Sequence, residues 1–415
     1  MEALEFKTRE VMHGLGARIL AGVLSVEEGQ SADPACSCGG RYVTGKRERK
    51  RLRTVLGEVR VMRRVQRCSD CGWWRVPLDQ ELDVVKTGFS PGLRRMMAKT
   101  GAEVCFDRAQ QLLFEHSGVR VTDKEVERVS EAVGADILRR AEERIAPALS
   151  GETSSEAQPS TLYIATDGTG VPVLKRETGG RRGKSADGIA RTREVKLGAV
   201  FTQTTVDEQG RAVRDPASTS YVGKIEEAAS FGGRLFAEAV RRGLNEAKRV
   251  AVLGDGAPWI WNLAELHFPG AIQIVDFYHA AEHLNTIAHL LYPKGEVLRK
   301  AWFRRMRKKL LRGGVVRIIA ELKDLKLGTK KKEALAKMVV YFEKNRERMR
   351  YDRYRQQGLF IGSGVVEAGC KSLIGKRLKQ SGMHWTVKGA NSIISLRCCL
   401  ESGGFEDYWE SRRAA

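Results

Sequence analysis

A short apolar strand that carries a single aspartate, and a second strand of the same design, most limit what this chain can fold into. Residues 161–174 read TLYIATDGTGVPVL, where an apolar, β-prone run ends near Asp167 and resumes at Val171 after a glycine-rich turn. A buried carboxylate without a partner is costly, and a metal ion is one good partner. The alternative interpretation at this point is an aspartate in a hairpin turn.

The same design returns at residues 249–258, RVAVLGDGAP, where an apolar strand ends in Asp255 between glycines. A third strand, residues 271–279, ends in Asp276 and His279. The intervening residues 225–244 have the apolar spacing of a helix. Strands that alternate with helices and carry acids at successive ends predict an open α/β sheet with an active site at its edge.

A further acid, Glu367, follows much later in the stretch GSGVVEAGCKSLIGK, residues 362–376. Ser363 can cap a helix there, and acids in a first helical turn often only complement the helix dipole. The small and apolar neighbours of Glu367 favour a close-packed, inward position instead. Three carboxylates from separated segments, Asp167, Asp255 and Glu367, predict a site for two Mg²⁺ ions that act on a phosphodiester.

Two residues of the third strand have less certain roles in that site. Asp276 is a possible further metal ligand. His279 either shapes the site, assists proton transfer or supports Asp276, and the sequence does not separate these alternatives.

The charge of the chain indicates the kind of partner. Its 415 residues include 72 Lys and Arg against 51 Asp and Glu, a net charge of +21. Such an excess predicts a polyanionic partner, most commonly nucleic acid. No apolar run approaches the ~18 residues of a membrane helix, and the polar, acidic start of the chain is unlike a secretory signal. We therefore expect a cytoplasmic, nucleoid-associated protein with reduced thiols.

Two tight cysteine pairs predict a structural metal site. Cys36 and Cys38 form one pair, Cys68 and Cys71 the other, and a glycine follows each pair. Four thiolates in two short turns suit tetrahedral Zn²⁺, and residues 54–61 between them predict a hairpin with Gly57 at the turn. This pattern predicts a zinc ribbon, with chance spacing or a redox pair as the alternatives. Six cations of the ribbon indicate DNA contact: Lys46, Arg47, Arg49, Lys50, Arg51 and Arg53. The other cysteines, Cys105, Cys370, Cys398 and Cys399, are expected in the core.

Composition and spacing divide the rest of the chain. Ser90 is expected to cap the helix that begins at Pro91. Helices at residues 106–113 and 122–129, the second with Thr122 as its cap, flank a glycine-containing turn, which fits either a helix-turn-helix or a plain helical hairpin. The segments we predict are an N-terminal packing or dimerisation helix (1–30), a zinc-ribbon-like region (31–76), a helical DNA-binding region (77–150), a linker (151–160), an α/β core in two parts (161–293 and 357–415) and a charged, all-α insertion (294–356).

The motifs DGTGVP, GDGAPW, VDFYH, SGVVEAGCK and GMHW, in this order, resemble insertion-sequence transposases of the ISKra type. Asp167, Asp255 and Glu367 resemble the DDE triad of RNase H-like transposases. Asp276 and His279 are similar to the D-x-x-H element of Mutator-like lineages. The resemblance covers nearly the whole chain.

This resemblance implies an RNase H-like core with an all-α insertion and dependence on Mg²⁺ or Mn²⁺. It also implies hydrolysis and strand transfer at terminal inverted repeats. The expected partner is double-stranded DNA, both transposon ends and target, with a homodimer assembled on it. A non-catalytic DNA-binding protein descended from a transposase is the alternative, and a structure-specific nuclease on the same fold is a third, weaker option.

Overall fold

A computed structural model describes residues 1–26, 35–155, 157–183 and 187–413. The chain forms two compact units, residues 1–136 with 404–415, and residues 137–403. The expected boundary between residues 30 and 31 lies outside the described residues, and the other expected boundaries remain predictions. Within the described ranges, no helix is both long enough and apolar enough to span a membrane.

The first unit begins with helix α1 (Glu2–Val26) and a long antiparallel hairpin of β1 (Tyr42–Thr54) and β2 (Gly57–Cys68), with β3 (Trp74–Arg75) beside β2. Gly57 adopts a φ of 112°, which a residue with a side chain avoids, and this allows the two-residue turn. The expected turn is confirmed, but the strands are much longer than residues 54–61, since pairing runs back to Tyr42 and Cys68.

The first unit also contains helices α2 (Pro77–Glu81), α3 (Pro91–Glu103), α4 (Phe106–Ser117), the part of α5 (Asp123–Glu143) up to Asp136, and the C-terminal α17 (Phe405–Arg413). Ser90 caps α3 by accepting a hydrogen bond from Leu93 N at 3.3 Å. At the start of α5, Thr122 and Glu125 exchange side-chain to backbone hydrogen bonds, a capping box. The predicted caps Ser90 and Thr122 are confirmed.

A mixed sheet organises the second unit. Its strands are β4 (Leu162–Pro172), β5 (Thr192–Val206), β6 (Ala212–Arg214), β7 (Ser220–Lys224), β8 (Val250–Gly254) and β9 (Ile272–Val275). The order is β6-β5-β4-β8-β9, and β7 also pairs with β5. The pairs on the β5 side of β4 are antiparallel, whereas β4, β8 and β9 are mutually parallel.

The first strand differs from its expected form. We expected a turn after Asp167, but β4 continues to Pro172 because β5 pairs with it residue by residue, from Leu162 opposite Thr202 to Pro172 opposite Thr192. Asp167 therefore lies inside a strand, which excludes the interpretation as a turn aspartate.

The helices of the second unit are α6 (Ile145–Leu149), α7 (Ala228–Arg241), α8 (Pro258–His267), α9 (Phe277–Leu291), α10 (Glu296–Leu311), α11 (Val315–Lys323), α12 (Thr329–Asn345), α13 (Tyr351–Gln356), α14 (Gly364–Gly369), α15 (Lys376–Leu378) and α16 (Val387–Glu401). A π-helical segment, Cys370–Gly375, joins α14 to α15. Side chains of α7 pack over Gly198 of β5, whereas α14 and α16 pack on the opposite face, around Leu197.

Candidate functional site

Strand register aligns three acids at one edge of the sheet. Ala165 of β4 pairs with Leu253 of β8, so Asp167 and Asp255 each lie two residues beyond the same pair. Val275 of β9 pairs with Gly254, and Asp276 follows it directly. Neighbouring strands lie about 4.8 Å apart, so this register gathers the acids that the sequence places far apart.

The antiparallel neighbour decides which way Asp167 points. Asp167 lies directly opposite Leu197 of β5, and directly opposed residues project to the same face of a sheet. That face carries α14, the helix that contains Glu367. The strand and the helix therefore present their carboxylates to the same space.

One open cavity of about 570 Å³ receives these side chains. Asp167, Asp255, Glu367 and His279 all line it, and Asp276 is not among its lining residues. Four of the five predicted residues of the carboxylate site thus face a common space, although 200 residues separate Asp167 from Glu367.

Asp276 has a different position from the other acids. It is fully buried, and its Oδ1 accepts the backbone N–H of His279 at 2.6 Å at the start of α9. Its Oδ2 accepts the backbone N–H of Ser363 and lies 2.8 Å from the Ser363 hydroxyl. That hydroxyl is also 3.2 Å from Oε1 of Glu367. Asp276 therefore caps one helix and ties down the loop that leads to Glu367.

Hydrogen bonds from backbone and hydroxyl groups hold Asp167 and Asp255 in place. The backbone N–H of Gly168 donates to Asp167 Oδ1 at 2.7 Å, and that of Ala257 donates to Asp255 Oδ1 at 2.8 Å. The hydroxyl of Tyr341, in α12 of the charged insertion, donates to the backbone carbonyl of Asp255 at 2.8 Å. The insertion thus supports the position of one acid.

The electrostatics of the cavity favour a cation. Burial raises the pKa of Asp167, and the nearby Asp255 carboxylate raises it further, while the hydrogen bond from Gly168 opposes this. Burial likewise raises the pKa of the Cys370 thiol, which is hydrogen-bonded to Asp167. A divalent cation would relieve the repulsion between the two aspartates, so the donor set fits Mg²⁺, which takes few carboxylates.

The remaining wall of the cavity was not foreseen from the sequence. Lys371 lines it from the π-helical segment and Lys379 from the end of α15, and Lys379 also contacts Thr169 of β4. Cys370, expected only as a core residue, lies there too. π-Helical segments often occur at functional sites, but no sequence pattern predicts a π-helical segment.

The four cysteines of the first unit form a tighter cluster than the acids. Their sulfur atoms all lie within 4.8 Å of one another, with Cys36 to Cys71 at 3.7 Å and Cys38 to Cys68 at 3.5 Å. A tetrahedral ion with bonds of about 2.3 Å to sulfur requires edges close to these values. Among the described His, Cys, Asp and Glu side chains, only this group is gathered at such a spacing.

Hydrogen bonds favour the thiolate, the form that binds metal, at Cys36 and Cys68, whereas at Cys38 the backbone N–H of Gly40 lowers the pKa but the three neighbouring thiols raise it to about 12. The backbone N–H of Cys38 and the hydroxyl of Tyr42 lower the pKa of Cys36 to about 6. Backbone N–H groups of Cys71 and Asp70 lower the pKa of Cys68. Gly40 packs so close to the Cys68 sulfur that a Cβ atom there would lie 2.6 Å from it.

The β1–β2 hairpin has a basic outer face and an apolar inner face. On the outer face, Arg51 pairs with Arg60 and Arg47 pairs with Arg64, and all four side chains are exposed. Like charges directly opposite one another are unfavourable in a sheet, and Glu58, 3.3 Å from Arg51 and 3.9 Å from Arg60, offsets this for the Arg51–Arg60 pair. By contrast, Lys50 points inward and binds Asp79 at 2.8 Å, so it is not among the exposed cations.

Comparisons with known proteins give three findings. A model of the uncharacterised protein family UPF0236 matches residues 236–412, a range that contains Asp255, His279 and Glu367. A UPF0236 protein of Caldanaerobacter subterraneus subsp. tengcongensis, whose name joins eleven locus labels, is 21% identical over 369 residues, 88% of this chain and 70% of that protein.

The third finding is a solved structure, the Drosophila P element transposase strand transfer complex. It is similar to this chain with a TM-score of 0.34 and 8% sequence identity, over 77% of this chain and 95% of that one. At this TM-score the likeness supports no statement about the fold or the activity of this chain.

Proposed function

We propose that this protein is a DDE transposase that hydrolyses phosphodiester bonds at the terminal inverted repeats of an insertion sequence and joins the freed ends to target DNA. The observation that carries the proposal is the cavity that Asp167, Asp255 and Glu367 line together. A protein with a net charge of +21 that gathers acids in one cavity is suited to bind a cation beside a polyanion.

In this proposal Asp167, Asp255 and Glu367 hold divalent ions, Mg²⁺ or Mn²⁺. When bound, such ions supply activation of the attacking oxygen and stabilisation of the leaving oxygen in an in-line displacement. Mg²⁺ is usually bound by one or two carboxylates together with water and substrate phosphates, and a cation would favour the ionised form of Asp167, whose pKa is raised by burial and by the Asp255 carboxylate.

Other residues of the cavity act on the substrate or on the acids. Lys371 and Lys379 neutralise the phosphate next to the scissile bond, which the carboxylates alone would repel. Ser363 and Asp276 position Glu367 through the hydrogen bonds described above, so we propose a positioning role for Asp276 in place of metal binding. His279 lies on the cavity wall, where it can shape the site or transfer a proton.

The proposed core is RNase H-like. Two features of the sheet support this. The strand β4 has antiparallel strands on one side and the parallel strands β8 and β9 on the other, and an acid directly follows each of β8 and β9. The helices of residues 296–356 interrupt the α/β pattern before Glu367, as an all-α insertion would.

The DNA-binding surface is proposed to include the outer face of the β1–β2 hairpin. The four cysteines would hold Zn²⁺ in a zinc ribbon, which fixes the base of that hairpin. Exposed arginines in opposite pairs gain most from a partner that supplies regularly spaced negative charge, as the phosphates of double-stranded DNA do. The helices of residues 77–150 would add further contacts.

The relative from Caldanaerobacter adds one consideration. Its name joins eleven locus labels, and repeated occurrence within one organism is what a mobile element produces. A transposase-like role for the present chain accords with that occurrence.

The test uses the full chain and a plasmid that carries the DNA flanking its gene. With Mg²⁺ we expect nicking at the repeat ends and joining through 3′-hydroxyl groups. Asp167→Asn, Asp255→Asn and Glu367→Gln should each lower the rate roughly 10³-fold, because each removes several kcal/mol of transition-state stabilisation. Glu282→Gln, an acid of the same cavity outside the triad, should keep most of the activity.

DNA affinity measured in parallel separates the alternatives. Tight binding of the flanking DNA without nicking in Mg²⁺ or Mn²⁺ would favour a non-catalytic DNA-binding protein derived from a transposase. Nicking without joining would favour a structure-specific nuclease.

A further inference from the structure

Helix α1 has an apolar stripe that no described part of the chain covers. Its large apolar side chains are 43–66% exposed, far more than apolar side chains of this size usually are. These residues are Leu4, Val11, Met12, Leu15, Ile19 and Val23. At about 100° per residue they occupy one arc of roughly 120°, the width of a helix-packing face.

The opposite side of α1 already has a partner. Ala17 is buried in a small core with Leu52 and Val59 of the hairpin, and Leu20 and Leu24 pack against it. The helix is therefore held in place by one apolar face while a second apolar face points away from that core. An amphipathic helix that only completed its own domain would need one such face.

The size of the stripe suits a protein interface. Burying a large aliphatic side chain removes on the order of 100 Å² from water, so six half-exposed ones offer roughly 300 Å² per helix before the backbone and flanking side chains are added. Two such helices of 25 residues, about 37 Å long, therefore bury roughly 600 Å² through these side chains alone, and the backbone and flanking side chains add to this towards the roughly 1,000 Å² that a specific interface needs. The area predicts a concentration-dependent complex.

The charges of α1 indicate which occupant fits. The helix has three acids (Glu2, Glu5, Glu10) and three bases (Lys7, Arg9, Arg18), so its net charge is zero in a chain of +21. DNA or an anionic membrane would require a basic flank. A second α1 matches both the apolar stripe and the balanced charges, because a two-fold interface pairs a surface with itself.

We propose that the α1 stripe is a homodimerisation surface, on which the α1 helices of two copies of this chain pack against each other without DNA or metal in the complex. This proposal does not depend on the proposed function, since self-association is measured in the absence of DNA and divalent metal.

Sedimentation equilibrium of the full chain tests it. Wild type should shift from monomer to dimer as concentration rises, and Leu15→Glu with Ile19→Glu should weaken the dimer at least 100-fold. The matched control, Val297→Glu with Leu298→Glu, introduces the same charges at exposed apolar residues of α10 and should dimerise like wild type. Circular dichroism should show all three proteins equally folded.

Complementary charges make the test specific for this face. A second variant, Leu15→Lys with Ile19→Lys, should be monomeric alone but form a heterodimer when mixed with the glutamate variant. A wild-type chain that stays monomeric, glutamate variants that dimerise like wild type, or binding to phosphatidylglycerol vesicles in place of self-association would each overturn the proposal.

Discussion

The four-cysteine cluster and the carboxylate cavity are both places where a metal fits, but they are assembled in opposite ways. The cysteines come from two turns at the base of one hairpin, and their sulfur atoms already lie at ligand spacing. The acids come from two strands and a helix up to 200 residues apart, and burial together with the nearby Asp255 carboxylate raises the pKa of Asp167.

This difference indicates a separate role for the metal at each site. A cluster built by a hairpin holds the local fold together, so its metal contributes to stability. Carboxylates held close together on a rigid sheet lower the stability of the fold when no cation is bound. Proteins keep such unfavourable arrangements mainly at sites that serve a reaction. Removing a ligand should therefore unfold structure in the first unit and remove activity from the second.

The largest expected effect comes from the cysteine cluster. Cys68→Ser should abolish zinc binding and unfold the hairpin, because structural zinc supplies about 10–16 kcal/mol of apparent binding energy in small domains. Metal content by mass spectrometry and thermal melting measure this. Cys105→Ser, outside the cluster, is the control. A hairpin that stays folded without zinc would contradict the structural role proposed for the metal at the cysteine cluster.

Removing the buried cap Asp276 should have the next largest effect. Asp276→Ala leaves the N–H groups of His279 and Ser363 buried without their acceptor, which should cost about 2–4 kcal/mol in the free energy of unfolding. Chemical denaturation measures it, with the exposed Glu282→Ala as control. Unchanged stability would mean that the acid-rich edge does not depend on this cap.

The outer face of the hairpin should contribute more modestly, through DNA. Arg51→Gln with Arg60→Gln should lower affinity for double-stranded DNA about tenfold and reduce the salt dependence by about two charges. Fluorescence anisotropy at several salt concentrations measures both. Arg211→Gln, an exposed arginine of the second unit, should change neither. An equal loss in both variants would point to charge alone and not to this face.

The smallest expected effect is a gain in stability. The pKa of Asp167 is higher in the folded state than in the unfolded state, so the ionised side chain destabilises the fold at neutral pH. This destabilisation disappears below the unfolded pKa, at about pH 4, where the side chain is protonated in both states. Without metal, Asp167→Asn should raise stability by up to about 1 kcal/mol at pH 7, since the group keeps some solvent screening.

Two comparisons test whether the stability gained in Asp167→Asn comes from removing the charge of Asp167. The gain should shrink as the pH falls towards 4, and millimolar Mg²⁺ should stabilise the wild type but not the variant. A gain that is independent of both pH and Mg²⁺ would indicate a packing effect with no link to the acid pair.

Local sequence patterns predicted the local structures well. The turn at Gly57, the caps Ser90 and Thr122, and the strands that end near Asp255 and Asp276 follow from residue types and spacing. Each depends on neighbours within a few residues, and the pattern of such neighbours is visible in the chain itself.

Long-range packing accounts for what the sequence did not reveal. The expected turn after Asp167 is a continuous strand because β5, some 30 residues later, pairs through it. The hydrogen bonds of the buried Asp276 depend on Ser363, 87 residues away, and the π-helical segment that brings Lys371 to the cavity has no sequence signature. These features depend on partners that the local pattern does not specify.

Metal-directed cleavage of the polypeptide tests the central claim, that three distant acids form one metal site, most directly. Fe²⁺ bound in place of Mg²⁺, with ascorbate and peroxide, generates radicals that cut the backbone near the ion. We predict cuts around residues 167, 255 and 367 in the same sample, all suppressed by excess Mg²⁺ and all lost in Asp255→Asn. Cuts near only one of these residues, or cuts that Mg²⁺ does not suppress, would contradict the account.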